Sequence, residues 1–205
     1  MPISVSHEFK ERTNHKYVYN ITAIENIPSI VANGILCHDE AAKFSHCSVA
    51  LEPVQKRRER VCIPHGLHLH QYANLYFDYN NPMLYRIKDK ADDICVLVVD
   101  ASIMDNPQCI VSDRNAAADL VKFYPAADGI KEIGFGKIFE KNWNHENVYE
   151  YLNHKSIKCA EVLIPDRVPF NYVIGAYVAH QFAKNKLKAA GFNKYIKISE
   201  EVFYL

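Results

Sequence analysis

Three groups of residues in this chain have types and spacings that could do chemistry. Glu161 interrupts Cys159-Ala160-Glu161-Val162-Leu163-Ile164, an otherwise apolar, strand-like run. On the buried face of a strand a carboxylate is costly unless it is paired. Because strands alternate faces, Glu161 can equally be turned to solvent; the chemically informative alternative is a carboxylate at the lip of a cleft. Arg58 lies in Gln55-Lys56-Arg57-Arg58-Glu59-Arg60, the most basic segment. Its forked guanidinium suits a pyrophosphate, which it can grip through two parallel charge-assisted hydrogen bonds, although such a run also makes an ordinary solvated helix face. The third group is Cys37, His38, His46, Cys47, Cys62, His65, His68 and His70, residue types that tetrahedral zinc prefers. No spacing among them forms a Cys-x-x-Cys knuckle, so no metal is expected. A nucleophile elbow, a Walker loop and a glycine-rich dinucleotide fingerprint are all absent from the sequence.

The elements that must position these residues alternate between strand and helix. Val18–Thr22 reads as a strand, followed by a helix that starts around Asn26-Ile27-Pro28, carries Ile27, Ile30 and Val31 on one face, and stops at Gly34. The polar stretch from His38 to Arg60 reads as a loop and then a short helix. One or two strands are expected over Leu67–Tyr72 and Leu75–Phe77, then a turn at Asn80-Asn81-Pro82. Ile94–Val99 is a continuous β-branched apolar run and predicts a central strand. Ser112-Asp113-Arg114-Asn115 precedes an expected alanine-rich helix to about Tyr124, and a long mixed segment leads to the Asn153 region. Strands follow at Cys159–Ile164 and Asn171–Ala179, a helix over Phe182–Ala190 ending at Gly191, and a closing strand or strand pair over Tyr195–Tyr204.

The 205 residues, 49% of them hydrophobic, suffice for one substantial core, and without repeats or Pro/Gly linkers one α/β (α+β) domain over residues 1–205 is expected. Twenty-four basic and 24 acidic residues cancel, so attraction to nucleic acid must come from a local patch. The start, MPISVSHEFKERTNHK, has no apolar signal core and no run is long enough to span a membrane. A cytoplasmic protein without membrane attachment is expected, with its six cysteines as thiols.

Taken in order, these segments resemble the DarT-type DNA ADP-ribosyltransferase toxins over nearly the whole chain. Tyr19-Asn20-Ile21-Thr22, Ile24 to Ile30 and Asn33-Gly34-Ile35-Leu36 are similar to the family's opening strand and helix. The basic run around Arg58 resembles its NAD-binding segment. Leu69-His70-Gln71-Tyr72, Leu75-Tyr76-Phe77 and Pro82-Met83-Leu84-Tyr85 resemble its central signature, and Ser112-Asp113-Arg114 opens its target-recognition region. Ala160-Glu161-Val162-Leu163 aligns with the catalytic glutamate.

The resemblance implies an ADP-ribosyltransferase fold, two packed sheets forming an NAD cleft with flanking helices. It implies NAD+ as co-substrate, Glu161 and Arg58 as catalytic residues, and Asn20, Ile21, Thr22, Ser29, Cys37, Arg58 and Met83 as NAD contacts. Arg114, Asn115, Lys122 and Phe123 are expected at single-stranded DNA, with Tyr124, Phe135 and Trp143 as further stacking candidates and Lys131 and Lys137 as further phosphate contacts. A monomeric toxin with an ADP-ribosyl hydrolase antitoxin of the DarG macrodomain type is the implied setting. Two departures bear on the target: Asn20 and Asn115 stand where thymidine-modifying members typically carry histidine, which leans the expected base toward guanine. Alternative readings are transfer to RNA or protein, and a nucleic-acid-binding module organised by zinc through Cys37, Cys47, Cys62 and His65.

Overall fold

The structure, a computed structural model, describes residues 3–49 and 52–205. Met1 and Pro2 of the polar start, and Ala50 and Leu51 of the expected loop, lie outside the described residues. The strands are β1 (Tyr17–Ala23), β2 (Ile35–Leu36), β3 (Tyr72–Tyr76), β4 (Ile94–Asp100), β5 (Ile110–Ser112), β6 (Phe123–Pro125), β7 (Glu161–Pro165), β8 (Arg167–Val168), β9 (Val173–Val178) and β10 (Tyr195–Ile198). The helices are α1 (Val5–Thr13), α2 (Ile27–Asn33), α3 (His38–Ala41), α4 (Glu52–Glu59), α5 (Pro82–Arg86), α6 (Ala126–Glu132), α7 (Phe135–Phe139), α8 (Val148–Ile157) and α9 (Gln181–Ala189).

Eight strands form one ladder in the order β10-β9-β4-β1-β3-β7-β5-β6, while β2 and β8 pair separately. The feature that positions the site is the joint in the middle of this ladder. β1 pairs with β4 along its whole length, from Tyr17 with Asp100 to Ala23 with Ile94. β3 likewise pairs with β7 throughout, from Tyr72 with Pro165 to Tyr76 with Glu161. Between β1 and β3 there is one pair, Tyr19 with Tyr76. The two packed sheets expected from the sequence are therefore two four-stranded halves that meet at one residue pair and part beyond it.

β4 is the central strand its composition predicts, with Ile94 to Val99 all buried. One face of the ladder packs against α1, α6, α7 and α9, where Phe9, Phe77, Ile130, Ile138 and Leu187 are at most 1% exposed. The other face carries Tyr19, Ile21, Tyr76, Val96 and Val98 beneath α5 and the closing turn Glu201–Phe203.

Several local expectations are corrected. α1 was not legible in the polar start because it buries a single side chain, Phe9; Ser4 caps it by accepting from His7 N. The alanine-rich segment after Asn115 is a series of turns, since Asn115 Oδ1 accepts from Ala117 N and locks the backbone in a local turn before a helix can start. Leu69–Gln71 is a 3-10 turn rather than strand, and the closing strand stops at Ile198 before a second such turn.

Two positions carry testable weight. Gly34 has φ +85°, and a Cβ there would lie 2.4 Å from the Val168 carbonyl oxygen, where β2 meets β8. Gly34→Ala is expected to destabilise the protein by more than about 1 kcal/mol; an unchanged urea midpoint would contradict that. Lys158 is fully buried and donates to Asp78 Oδ2 at 2.8 Å and to the carbonyls of Ile138 and Glu140 at 2.6 and 2.9 Å. Lys158→Ala strands the Asp78 carboxylate and is expected to cost about 3–5 kcal/mol, read as the loss of unfolding free energy in denaturant.

Candidate active site

Glu161 opens β7 directly beside Tyr76, at the point where the two half-sheets join. Its side chain is completely buried. Arg58, from the last turn of α4, reaches it with both terminal nitrogens: Nη1 donates to Oε1 at 2.9 Å and Nη2 to Oε2 at 3.0 Å. Oε1 also accepts from Ala116 N at 2.9 Å. The Glu161 backbone N–H donates to Ser112 Oγ at 3.1 Å, and that hydroxyl donates to the Arg114 carbonyl at 2.7 Å. Asn115 N donates to the Ser156 carbonyl, tying the same segment to the end of α8.

A buried ion pair is tolerated where geometry is good and remaining lone pairs are satisfied, and both conditions hold here. Burial opposes the Arg58 charge, but the Glu161 carboxylate outweighs it and holds the guanidinium pKa above its ordinary value. Burial, reinforced by the Glu161 charge, pushes the Tyr76 phenol well above its usual range, so it stays protonated.

Beyond Tyr19 and Tyr76 the strands separate, and Asn20 Nδ2 spans the opening to donate to the Asn74 carbonyl at 3.1 Å. Into this opening runs a cleft of about 540 Å³, lined among others by Asn20, Ile21, Thr22, Ser29, Arg58, Asn74, Tyr76, Met83 and Asn115. Its volume falls within the roughly 300–1,000 Å³ usual for small-molecule sites. Thr22, Asn26 and Ser29 supply hydroxyls and an amide at one end, Arg57 and Arg58 supply cationic groups, and Met83 and Ile87 supply apolar wall. This donor set fits a dinucleotide with one anionic bridge.

Six of the seven expected NAD residues thus line one cleft. Cys37 does not: it is 2% exposed and packs inward, while its neighbours Leu36 and His38 face the opening. Arg58 is at the cleft, but its fork is turned onto Glu161 because a buried carboxylate requires the cation. That leaves Nε and the outer N–H of each terminal nitrogen for a ligand.

Of the expected DNA residues, Asn115 lines the cleft. Arg114 lies outside its lining, paired with Asp113 and donating to Asn153 Oδ1 at 3.0 Å. Phe123 packs against the cluster of Ile63, Leu69, Tyr72, Ala116 and Leu163, and Lys122 is exposed away from the cleft lining. Phe135 and Trp143 are 8% and 9% exposed, which leaves little ring surface for a base, while Tyr124 is half-buried against the core. Lys131 lies 4.0 Å from Glu8, and neither it nor Lys137 is among the cleft-lining residues. Tyr76 and Ser112 were named only within motifs, and Asn74 and the Ala116 amide not at all; the fold brings Tyr76, Ser112 and the Ala116 amide to Glu161 and places Asn74 on the cleft wall opposite Asn20. Among the described residues no group of three or more metal-ligating side chains is assembled, and Cys37, Cys47, Cys62 and His65 do not come together as a zinc set. No helix among the described residues is long and apolar enough to cross a membrane.

Comparison with known proteins identifies the family and the fold. The family model described as "ssDNA thymidine ADP-ribosyltransferase, DarT" matches residues 19–204. A DNA ADP-ribosyl transferase–DNA ADP-ribosyl glycohydrolase fusion protein of Thermosipho africanus is 33% identical over 91% of this chain and 49% of its own length. A DNA ADP-ribosyl transferase of Thermus aquaticus is 28% identical over 76% of this chain and 72% of that protein. The Thermosipho africanus DarTG structure with ADP-ribose superposes with a TM-score of 0.81 at 28% identity, covering 93% of this chain and 52% of that one. The Thermus sp. 2.9 DarT structure with ADP-ribosylated ssDNA shares the fold at a TM-score of 0.76 and 24% identity, over 92% and 96% of the two chains. The chain spans about half the length of the fusion protein it matches. A match over residues 19–204, together with this fold and this cleft, places the chain in the DarT family.

Proposed function

We propose that this chain transfers ADP-ribose from NAD+ onto a base of single-stranded DNA, releasing nicotinamide. The observation that carries the reading is the fully buried Glu161 carboxylate, held by the Ala116 amide and by Arg58, whose side chain lines a cleft of dinucleotide size. Breaking the nicotinamide–ribose bond sends its electron pair out with nicotinamide and leaves positive charge on the ribose, as in glycoside cleavage. A fixed carboxylate stabilises that charge without reorganising at the moment of reaction. Glu161 serves in this role, and takes the proton that the base nitrogen loses as it bonds to the ribose carbon once the Arg58 fork shifts off Oε2, since the carboxylate is fully enclosed while the pair is closed. Arg58 holds the carboxylate in place through its two parallel hydrogen bonds, and its outer N–H groups face the dinucleotide phosphates. It stays protonated, so it is not the base.

Thr22 and Ser29 hold the adenosine end and Met83 packs against the dinucleotide. Asn115, whose Oδ1 is committed to Ala117 N, offers its amide N–H₂ to an acceptor on the target base. The base proposed is guanine, from Asn20 and Asn115, against the thymidine in the family description. The Thermosipho africanus relative carries a DNA ADP-ribosyl glycohydrolase in one chain, and a hydrolase that removes the mark is the partner proposed here. Labelled NAD+ offered with single-stranded DNA, RNA and protein tests the acceptor: label on DNA alone is expected, and label on RNA or protein in preference to DNA would overturn the reading.

A further inference from the structure

The outer half of the ladder has one face packed by α9 and the other partly uncovered. Ala183 and Leu187 of α9 pack with Ala176, Val178 and Ile196 on the first face. On the opposite face β10, β9 and the start of β1 present Tyr195, which is exposed, and Tyr177 and Tyr17, which are half-buried at the edge of the cluster formed with α5 and the closing turn. Tyr195 is 73% exposed, an unusual setting for an aromatic strand residue. Between these rings Gly175 pairs with Tyr195 and with Val98, so the floor of the patch carries no side chain at that point. Lys16 Nζ lies 5.4 Å from the Tyr17 ring centroid, and Lys197 Nζ lies 5.7 Å from that of Tyr177. Asp100, opposite Tyr17, is turned into the next turn, where it accepts from Ser102 N.

This patch shares a face with the site. The register runs Tyr195–Gly175–Val98–Tyr19–Tyr76–Glu161 across the ladder, five strand steps or about 24 Å. Tyr79 fills the interval, with ring centroids 5.1 Å from Tyr19 and 5.7 Å from Tyr177.

We propose that Tyr17, Tyr177 and Tyr195, with Lys16 and Lys197, form a platform for the single-stranded DNA that flanks the reacting base. The proposal rests on the DNA reading above. An exposed ring such as Tyr195, flanked by the half-buried Tyr177 and Tyr17, accepts any base by stacking, and flexible lysines beside it meet the phosphates. A lysine parked over a ring can swing to a phosphate on its long stem and bare the ring for a base. The patch therefore adds affinity for strands long enough to reach it, without reading sequence.

The test compares oligonucleotides of about 5 and about 20 nucleotides, lengths that bracket a single-strand site, with wild type, Tyr195→Ala and Lys16→Ala/Lys197→Ala. All three positions are exposed and outside the cleft lining. Fluorescence anisotropy is expected to show Kd for the long strand raised about 10-fold or more in each variant. Kd for the short strand should be unchanged, and the double lysine variant should depend less steeply on salt. Equal affinity of wild type and variants for the long strand would overturn the platform. So would a wild-type dimer in sedimentation that Tyr195→Ala dissociates without changing DNA affinity, because the face would then belong to a second copy. Failure of wild type to modify either strand in the presence of NAD+ bears on the transfer reaction instead, and is read separately from binding.

Discussion

Glu161→Gln is expected to lower the rate of ADP-ribose transfer by at least about 10²–10³-fold while leaving the cleft standing. The substitution keeps the shape of the side chain and its acceptor toward Ala116 N, but removes the negative charge that opposes the ribose cation. It also leaves Arg58 buried without a counter-charge, so a loss of stability of about 3–5 kcal/mol is expected alongside. The two effects separate in the measurements: single-turnover transfer at saturating NAD+ reads the first, and urea unfolding reads the second. A folded Glu161→Gln protein that transfers at the wild-type rate would remove the carboxylate from the chemistry.

The second large effect concerns the pair itself. Arg58→Ala alone leaves an uncompensated carboxylate in a fully buried position and is expected to cost about 3–5 kcal/mol. Replacing both members with apolar residues of similar size, Arg58→Met with Glu161→Leu, removes both desolvation penalties and is expected to bring stability back to near the wild-type value. Activity is expected to stay absent in the double variant. Recovery of stability without activity would show that the pair is kept for chemistry rather than for folding. Arg58→Lys is a sharper probe of geometry, because one ammonium does not reproduce the two parallel bonds to Oε1 and Oε2. It is expected to retain charge but lose transfer, and wild-type transfer by this variant would argue against a bidentate requirement.

Sequence alone made the ends of this argument legible and left the middle hidden. Glu161 stood out because a charge in an apolar strand is anomalous, and Arg58 because of its basic run. No sequence rule linked two residues 103 positions apart; that link exists only because α4 crosses the start of β7. The strands β1, β4, β7 and β9 were readable from β-branched apolar runs, which report burial directly. α1 was not readable, since one buried phenylalanine in a polar helix leaves no periodic pattern.

The turns after Asn115 were read as helix because alanine propensity is a weak prior that a single side-chain hydrogen bond can override. The aromatics show a similar limit: Phe123, Phe135 and Trp143 have the composition of a stacking surface, yet Phe135 and Trp143 are buried and Phe123 is half-buried against its own cluster. The exposed ring of the proposed platform is instead Tyr195, beside the half-buried Tyr17 and Tyr177, on strands whose pairing the sequence did not specify. Cys37, implied as an NAD contact by the resemblance, has its side chain turned inward, away from the cleft lining.

The most direct test of the central claim incubates wild type and Glu161→Gln with NAD+ and single-stranded oligonucleotides, each rich in one base, and weighs the products by mass spectrometry. The account predicts a mass gain of one ADP-ribose on one base type with wild type, guanine being the base proposed, and none above background with the variant. A folded, NAD-binding wild-type protein that leaves every oligonucleotide unmodified would contradict it.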